Sequence, residues 1–575
     1  MFNAGRSTGV VSESITKLRV LGSTGIVRPY SPVTLARLGR TLQQWGVGPA
    51  GGFAALAVRN PDGVALVDEL GELTYRELDE RATALADSMR RLGVGPDSGV
   101  ALMARNHRGF VEATVAAAKL GADLLYLNTA FAGPQLVEVL EREGPTVVIH
   151  DEEFTGMLED AADVTRVLAW VDSDPGALGG TPTLEGLVAG GSTSATFSPP
   201  EKPSRIIILT SGTTGTPKGA PRNKAGIDDA VALLSRIPMK RGWTCHIAAP
   251  LFHTWGFAHM ALSMLLETRI VLRRKFDPEG CLEACAESHA DSLVVIPVML
   301  QRIMRLSSQT LDSYDLSTLK VVAASGSSLP GDLAQQWMDQ FGDNLYNTYG
   351  STEVAYATIA NPQELREAPG TAGRPPHGAV VRILDEDGKE VPTGETGRIF
   401  VGNGMLFEGY TGGGNKDMVD GLMSSGDVGR FDEAGRLFVE GRDDEMIVSG
   451  GENVFPQEVE DCLTRHEAVH EVACIGVDDE EYGKRLKAFV VLEDGKDVDE
   501  DTLREHVKSN LARYKVPREF VFMDELPRNA TGKLLKRTLE EEGADARSEG
   551  TGDDGSDGAA AGDGGNQQEE QDVNA

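Results

Sequence analysis

The sequence contains no long hydrophobic run. Its longest strongly apolar stretch, Leu293–Leu300, has only eight residues and includes Pro297, whereas a membrane-spanning helix needs about 20 apolar residues. The first thirty residues carry glycines, serines and scattered charges rather than the continuous apolar segment of a secretory signal. We therefore expect a protein that stays in the cytoplasm.

Cysteine is scarce and follows no metal-binding pattern. The five cysteines form no Cys-x-x-Cys pair and leave an odd one over, which argues against a zinc ribbon and against a disulfide framework; they are Cys245, Cys281, Cys285, Cys462 and Cys474. Cys281 and Cys285 are four residues apart, so the spacing predicts buried thiols on one helix face.

Positive charge is also in short supply, with 55 basic against 88 acidic residues and a net charge of −33. Such a chain repels phosphate backbones, which excludes nucleic acid as a main partner. Residues 540–575 hold twelve acidic residues and one basic residue, a composition typical of a disordered, solubilising tail. The remaining negative charge fits a saline cytoplasm and chance composition equally well.

Residues 1–50 have the opposite charge balance, with six basic side chains and Glu13 as the one acidic residue. Leu35, Leu38, Leu42 and Trp45 fall on one helical stripe. A helix docked on its own domain is the favoured interpretation of this basic N-terminal extension. A weak peripheral contact with a membrane surface is the alternative.

Strand and helix patterns alternate from Val64 onward. A helix is predicted from Thr74 through Met89, then a strand at Gly99–Met103, then a helix that ends at Gly121. This alternation is typical of a layered α/β architecture. Residues 150–200 are rich in Asp, Gly and Ser and are expected to form a loop or linker.

The most informative stretch is Thr210–Gly219, directly behind the apolar run Ile206–Leu209. Glycines let backbone N–H groups converge on an anion, hydroxyls add donors, and Lys218 adds a positive charge, so the pattern predicts a phosphate-binding loop. Pro217 and Gly219 flank the lysine and disfavour the helix that follows a Walker loop. A Ser/Thr/Gly-rich surface turn is the alternative interpretation.

The run Ser-Gly-Thr-Thr-Gly-x-Pro-Lys-Gly at Ser211–Gly219 resembles the signature of the adenylate-forming superfamily, which includes acyl-CoA synthetases, peptide-synthetase adenylation domains and luciferases. The resemblance extends over roughly residues 60–540 and is greatest to bacterial fatty acyl-CoA synthetases. It implies that ATP, and AMP after it, is held in this loop by Thr210, Ser211, Gly212, Thr213, Thr214, Gly215 and Lys218, with Thr210 also near the metal.

Three further segments continue the match. The resemblance implies that His253, in Pro250–Gly256, orients the carboxylate of the acid substrate. It also implies nucleotide contacts from Gly326, Ser327, Ser328, Asn347, Thr348, Tyr349, Gly350 and Thr352. Tyr349 offers a flat face for adenine and Thr352 a hydroxyl for phosphate, while Glu353 offers a hard carboxylate oxygen for Mg²⁺.

Several departures bear on the substrate. The segment around His253 lacks the acidic residue that pairs with an amino acid's ammonium group, which disfavours an amino-acid substrate. Acetate-activating relatives carry Trp where this chain has Gly350, so glycine predicts room for a longer or bulkier acid. The absence of an evident insertion between Gly256 and Tyr349 favours CoA over a carrier protein as acceptor.

Residues 409–426 depart from the family pattern, but Asp427 is retained and can accept hydrogen bonds from ribose hydroxyls. The resemblance implies that Arg442, at the start of the hinge motif, contacts the nucleotide. It also implies that Asp444 lies in the hinge and that Gly450 and Gly451 border the pantetheine channel of CoA. Lys533, in a Thr-Gly-Lys loop, is expected to stabilise the anionic transition state of adenylation.

The sequence predicts five regions: a basic extension (1–50), a large adenylation domain (51–441), a hinge (442–445), a small mobile α+β domain (446–539) and an acidic tail (540–575). The resemblance implies catalysis by Lys533, His253 and Glu353, with ATP, Mg²⁺ and CoA. We expect an acyl-CoA synthetase acting on a medium- or long-chain fatty acid. The alternatives are an aryl- or other bulky-acid CoA ligase, an acyl-AMP ligase for a carrier protein, a luciferase-type oxidoreductase and a non-catalytic nucleotide-binding protein.

Overall fold

A computed structural model describes most of the chain. The described residues are 15–46, 48–131, 133–161, 164–174, 178–210, 218–222, 226–407, 409–410, 415–443, 447–449, 452–479, 483–511, 513–528, 534–536 and 538–539. The predicted acidic tail and the first fourteen residues lie outside these ranges.

The strands are numbered in chain order. They are β1 Val64–Asp68, β2 Gly71–Thr74, β3 Gly99–Met103, β4 Asp123–Tyr126, β5 Val147–Asp151, β6 Thr165–Trp170, β7 Ile206–Thr210, β8 Lys218–Arg222, β9 Thr244–Ile247, β10 Arg269–Val271, β11 Ser292–Val295, β12 Val321–Ala324, β13 Leu345–Tyr349, β14 Thr358–Ala360, β15 Val380–Leu384, β16 Gly397–Gly402, β17 Met418–Val419, β18 Leu422–Phe431, β19 Leu437–Arg442, β20 Ile447–Ser449, β21 Glu452–Val454, β22 Val469–Asp479, β23 Gly483–Leu492 and β24 Glu519–Met523.

The helices are numbered in the same way. They are α1 (15–23), α2 Pro32–Trp45, α3 Pro49–Arg59, α4 Tyr75–Arg91, α5 Arg108–Leu120, α6 Gly133–Glu143, α7 Leu184–Gly190, α8 Ile227–Arg236, α9 Thr254–Leu266, α10 Pro278–Glu287, α11 Pro297–Met304, α12 Ser308–Ser313, α13 Gly331–Phe341, α14 Pro362–Glu367, α15 Pro456–Leu463 and α16 Glu500–Asn510. Short 3₁₀ turns cover Glu152–Leu158 and Arg513–Lys515.

Two largely parallel sheets form the body of the large domain. Within the described residues, sheet A has the strand order β14-β13-β12-β11-β9-β10-β1-β2 and sheet B the order β6-β5-β3-β4-β7-β8. Helices cover the strands and bury a shared hydrophobic core that includes Phe53, Phe110 and Trp337. This arrangement confirms the predicted layered α/β class.

Local sequence explains why the early elements form where they do. Thr74 caps α4 through a reciprocal capping box with Glu77, and α4 then buries Leu78, Leu85 and Met89. Helix α5 ends at Gly121, whose φ of 72° places it in the left-handed conformation that glycine accepts without steric cost. The helix, strand and helix predicted between Thr74 and Gly121 are therefore confirmed.

Two antiparallel sheets follow in the second half of the chain. In the described part, sheet C consists of β15-β16-β18-β17 with β19 beside β18, and sheet D of β21-β20-β23-β22 with β24 beside β23. Sheet D and helices α15 and α16 share their own hydrophobic core, which includes Val459, Leu463, Leu503 and Val507. The predicted small α+β unit is thus a separately packed body.

The prediction for residues 150–200 was wrong in part. This segment contains the 3₁₀ turn Glu152–Leu158, strand β6 and helix α7, and β6 pairs in parallel with β5 at the edge of sheet B. The helix α7 is capped by Thr183 and buries Leu184. The surrounding Asp, Gly and Ser residues obscured elements that are only six or seven residues long.

The N-terminal segment contacts the large domain. Val20 joins the main core, Lys17 pairs with Asp228 at 2.9 Å, and Arg28 pairs with Glu267 at 3.1 Å. Trp45 packs near the ring of Phe197 at a centroid distance of 6.4 Å, although α2 as a whole has no buried residue. Every helix among the described residues is too short or too polar to cross a lipid bilayer.

Cysteines and buried ion pairs complete the core. All five cysteines are free and buried, and Cys281 and Cys285 lie together on α10, as predicted.

Arg108 is held against Asp68 of β1, with Nε 3.0 Å from Oδ2 and the backbone N–H of Arg108 2.9 Å from the same oxygen. Burial raises the pKa of Asp68, but the hydrogen bonds and charge of Arg108 outweigh burial and lower it.

Replacing Arg108 by Met should destabilise the large domain by about 3–5 kcal/mol, because the substitution leaves the buried Asp68 carboxylate without its cation. The measurement is the urea midpoint at fixed pH. Arg76→Met is the matched control, since Arg76 pairs with Asp62 on the surface at 2.8 Å and is 53% exposed, so its loss should hardly move the midpoint. Equal midpoint shifts for both variants would contradict this assignment.

Candidate functional site

The predicted site residues converge on one edge of sheet A. Strands β9, β11, β12 and β13 run in parallel and are direct neighbours, so their carboxyl ends lie side by side. His253 follows β9, Gly326 follows β12, and the turn from Gly350 to Glu353 follows β13. Open α/β sheets place ligands beyond the carboxyl ends of their strands, so this edge is the candidate active site.

The predicted phosphate loop connects β7 and β8 of sheet B. These strands are antiparallel, and the register pairs Thr210 with Lys218 at the base of the loop. Lys218 therefore begins a strand, which confirms that no helix follows the lysine. The loop residues Ser211, Gly212, Thr213, Thr214 and Gly215 lie outside the described residues, and so do the side chains of Thr210 and Lys218.

His253 lies at the N-terminus of α9, beside the ring of Phe252 at a centroid distance of 4.6 Å. The residue is half-buried, but its Nε2 atom is closed off from solvent and has no hydrogen-bond partner in the protein. Burial lowers the pKa of His253 to about 4, so the ring is neutral at pH 7. A buried ring nitrogen without a protein partner is suited to a ligand.

The first turn of α9 packs closely on the loop that precedes His253. The backbone N–H of His253 donates to the carbonyl of Pro250 at 3.1 Å. A Cβ added at Gly256 would lie only 2.3 Å from the same carbonyl oxygen, so this position requires glycine. The close packing fixes where the helix, and with it His253, begins.

Trp255 follows in the same turn of α9. Its indole N–H donates to the carbonyl of Ala323, the penultimate residue of β12, at 3.3 Å. Its ring meets the His259 ring edge-on, with the ring centroids 4.2 Å apart. Only 9% of Trp255 is exposed. The indole is therefore fixed beside the carboxyl end of β12, a role that the sequence analysis did not assign.

The turn after β12 has the features expected of a ligand-contacting loop. Gly326 has a φ of 104°, which side-chain-bearing residues rarely adopt, and a Cβ there would come within 3.3 Å of Ile296. Gly326, Ser327 and Ser328 are exposed at the end of a fully buried strand. The predicted nucleotide contacts of this turn are thus accessible at the site edge.

The end of β13 is linked to sheet C. The hydroxyl of Tyr349 donates to Oδ2 of Asp427 at 2.5 Å, and Oγ of Ser425 lies 3.0 Å away. Arg442 pairs with the other oxygen of Asp427 at 3.3 Å. Burial first, and then Asp427, raises the pKa of Tyr349, so the phenol stays protonated. Tyr349, Asp427 and Arg442, predicted separately, are therefore brought together.

Asn347 and Thr348 precede Tyr349 on β13 and are 7% and 4% exposed. The hydroxyl of Thr348 is buried without a protein partner. Thr352 has a partner within the protein. The structure thus brings these residues to the edge where nucleotide contacts are predicted.

Glu353 has the chemistry of a Mg²⁺ ligand. Tyr410 donates to its Oε1 at 2.7 Å and Ser351 to its Oε2 at 2.9 Å. Burial raises the pKa of Glu353, but these two hydrogen bonds lower it below the usual value, so the carboxylate is ionised. Within the described ranges, no group of three or more His, Cys, Asp or Glu side chains is placed to hold a metal ion.

Close backbone packing, rather than the size of a substrate pocket, explains why residue 350 is glycine. A Cβ at this position would lie 2.2 Å from the carbonyl oxygen of Ala355 and 2.9 Å from Cα of Tyr356. Ala355 itself has a φ of 61°, which is strained for a residue with a side chain. The tight turn therefore requires glycine, and the inference from Gly350 to a long acyl chain loses its basis.

The hinge motif begins at the end of sheet C. Strand β19 ends at Arg442. The next residue, Asp443, forms an ion pair with Arg398 at 2.8 Å. Helix α15 carries Pro456 in its first turn and buries Val459, Cys462 and Leu463, as predicted. Asp444, Gly450, Gly451 and Lys533 lie outside the described residues.

Because the pKa of His253 is about 4, the KM for the acid substrate should stay constant between pH 6 and 8. Protonation occurs only as the pH falls towards 4, so a neutral ring acts throughout the working range. His253→Gln, which keeps a hydrogen-bond donor, should raise this KM less than His253→Ala. A wild-type KM that falls as the pH drops through about 6.5 would show that a charged imidazole binds the carboxylate.

Comparisons with known proteins bear on the family of this chain. The family profile described as AMP-binding enzyme matches residues 53–411, and the profile of the AMP-binding enzyme C-terminal domain matches residues 458–533. The chain is 34% identical to the feruloyl-CoA synthase of an Amycolatopsis species over 81% of its own length and 92% of that protein. It is 32% identical to the indoleacetate–CoA ligase of Aromatoleum aromaticum over the same shares.

A solved structure shows the same fold. The o-succinylbenzoate CoA synthetase of Bacillus subtilis, in complex with its acyl-adenylate intermediate, superposes with a TM-score of 0.74 and 25% identity over 85% of this chain and 97% of that one. The motifs, the sheet edge and these relatives agree. The chain belongs to the AMP-binding, adenylate-forming enzyme family, as an AMP-forming acid–thiol ligase that uses ATP, Mg²⁺ and CoA.

Proposed function

We propose that this ligase activates an aryl or similarly bulky carboxylic acid to its acyl-adenylate and transfers the acyl group to CoA. The acids named for the feruloyl and indoleacetate relatives each carry an aromatic ring. The expectation of a fatty acid rested on Gly350, on the missing partner for an ammonium group and on likeness to bacterial fatty-acid ligases. The tight turn gives Gly350 another explanation, and the missing ammonium partner fits an aryl acid equally well. The alternative kept open by the sequence is therefore the better supported one.

The observation that carries the proposal is the fixed indole of Trp255. It lies two residues beyond His253, is bonded to the carbonyl of Ala323 at 3.3 Å, and is backed by His259. Trp255 belongs to the main hydrophobic core and is 9% exposed. In the proposed binding mode its rigid indole would contact the acid and favour a flat ring, because offset or edge-to-face contacts between aromatic rings are worth about 0.5–1.5 kcal/mol beyond area burial. A flexible alkyl chain gains no such geometric preference.

The first half-reaction needs a carboxylate to attack the α-phosphate while pyrophosphate leaves. His253, neutral and with a free buried Nε2, would hydrogen-bond the acid and orient it. Lys218 and Lys533 would offset the negative charge that builds up, as preorganised cations do best in a closed site. Glu353 would hold Mg²⁺, which when bound neutralises phosphate charge and orients the leaving group.

The nucleotide would bind along the edge from the phosphate loop to sheet C. Tyr349 would stack on adenine while its hydroxyl stays bonded to Asp427, and the Asp427 carboxylate would also accept hydrogen bonds from the ribose hydroxyls. Thr210, Thr352 and the turn at Gly326–Ser328 would complete the pocket. Arg442 holds Asp427 in place at the start of the proposed hinge.

In the second half-reaction the small domain, residues 446–539, would rotate about Asp444 within the hinge 442–445. The rotation would withdraw Lys533 and bring Gly450 and Gly451 beside the pantetheine arm, where glycine allows a close approach. The CoA thiol would then attack the acyl carbonyl, forming the thioester and releasing AMP. The extension 1–50 and the tail 540–575 take no part in this scheme.

Substrate choice can be tested with a panel of hydroxycinnamic, arylacetic, benzoic and fatty acids in a CoA-dependent AMP-release assay. We expect the highest kcat/KM for an aryl acid, at least tenfold above any fatty acid. Trp255→Ala should lower kcat/KM for that aryl acid by roughly tenfold, as expected for losing about 1.4 kcal/mol of ring contact, while fatty acids change little. A fatty acid that is the best substrate would overturn the aryl proposal.

The two-conformation scheme predicts that Lys533→Ala affects the two half-reactions differently. This variant should lose adenylation by at least a hundredfold, because a cation is removed from an anionic transition state. It should form thioester from supplied acyl-AMP and CoA within a few-fold of the wild-type rate. Equal loss of both half-reactions, measured separately in single-turnover assays, would contradict the scheme.

A further inference from the structure

Asn106 reaches across from sheet B into the loop that precedes His253. It lies between β3 and α5 and is 5% exposed. Its Nδ2 donates to the carbonyls of Ile247 at 3.1 Å and Ala249 at 2.9 Å, and its Oδ1 accepts the N–H of Leu251 at 2.9 Å. One side chain thereby makes three hydrogen bonds of 3.1 Å or shorter, and a fourth, longer contact with the carbonyl of Ala248 at 3.5 Å, to a segment that is about 140 residues away in sequence.

Three other backbone groups of the loop from Ile247 to Leu251 are bonded to neighbouring elements. The N–H groups of Ala248 and Ala249 both donate to the carbonyl of Val294 on β11, at 3.0 and 2.9 Å. The carbonyl of Pro250 accepts the N–H of His253, and the Gly256 backbone packs against it. The loop is thus held between the Asn106 side chain on one side and the start of α9 on the other.

We propose that Asn106 is a positioning residue for the acid substrate, acting through this loop on the orientation of His253. Without its amide, the carbonyl of Ala249 and the N–H of Leu251 lose their partners, and buried backbone groups without partners drive a local rearrangement. That rearrangement moves the peptide to which the His253 N–H is bonded. The inference deepens the proposed function, because it assigns part of acid recognition to a residue outside the pocket.

A purely structural role for Asn106 predicts a different result, and Asn344 provides the matched control. Asn344 is also 5% exposed, and it also makes three hydrogen bonds: Nδ2 donates to Leu319 and Phe341, and Oδ1 accepts from Trp337. It precedes β13, at the end of sheet A opposite the site. Its loss should cost similar stability without reaching His253.

The experiment compares Asn106→Ala, the isosteric Asn106→Asp and Asn344→Ala with the wild-type full chain. KM for the acid, KM for ATP, kcat and Tm are measured for each protein. Asp keeps the size of Asn but loses both N–H donors and places an oxygen against the carbonyls of Ile247 and Ala249. Both Asn106 variants should raise KM for the acid about tenfold and leave KM for ATP within twofold. Asn344→Ala should lower Tm similarly but leave both KM values unchanged.

Equal rises of both KM values in the Asn106 variants, or the same rise in Asn344→Ala, would overturn the positioning role. The ratios of variant to wild-type KM are measured with whichever acid the wild-type enzyme prefers. A preference for a fatty acid would therefore contradict the aryl specificity, while the Asn106 ratios would still decide this inference.

Discussion

Two separate sheets can build one active site only if their relative position is fixed, and three consecutive buried side chains provide that constraint. Asn106 bonds the loop after β9, His107 bonds Asp151 at the end of β5 at 2.8 Å, and Arg108 bonds Asp68 on β1. The tripeptide follows strand β3 of sheet B. His107 bonds it to sheet B, while Asn106 and Arg108, on either side of His107, bond it to sheet A. This junction fixes sheet B, whose strands β7 and β8 flank the predicted phosphate loop, against the candidate-site edge of sheet A.

The sequence predicts the parts of the candidate site that depend on local chemistry. A glycine- and hydroxyl-rich loop behind an apolar strand, and a carboxylate after Tyr-Gly-x-Thr, are readable because each motif has its own physical reason within a few residues. The large α/β body was predictable from alternating periodicities, and the small domain from the apolar faces of α15 and α16. These predictions required no knowledge of which segments meet in space.

The parts that could not be predicted depend on long-range contacts. Asn106 looks like an ordinary polar residue after a strand, because its partners are about 140 residues away. Trp255 could be seen as an aromatic in the His253 motif, but only the fold shows that Ala323 fixes its indole. Gly350 was interpreted as leaving room for a longer or bulkier acid, whereas the nearby carbonyl of Ala355 leaves no room for a side chain at this position.

The turn that carries Glu353 has a consequence for ion selectivity. Tyr410 and Ser351 hold the two carboxylate oxygens, and the strained Ala355 shows that the surrounding packing dictates the path of the turn. A carboxylate fixed in this way offers one oxygen geometry and adapts poorly to larger ions. Magnesium demands near-octahedral geometry at short distances, whereas calcium prefers more numerous and flexible ligands. At the proposed Glu353 site, a turn of this rigidity would therefore favour Mg²⁺ over the larger Ca²⁺.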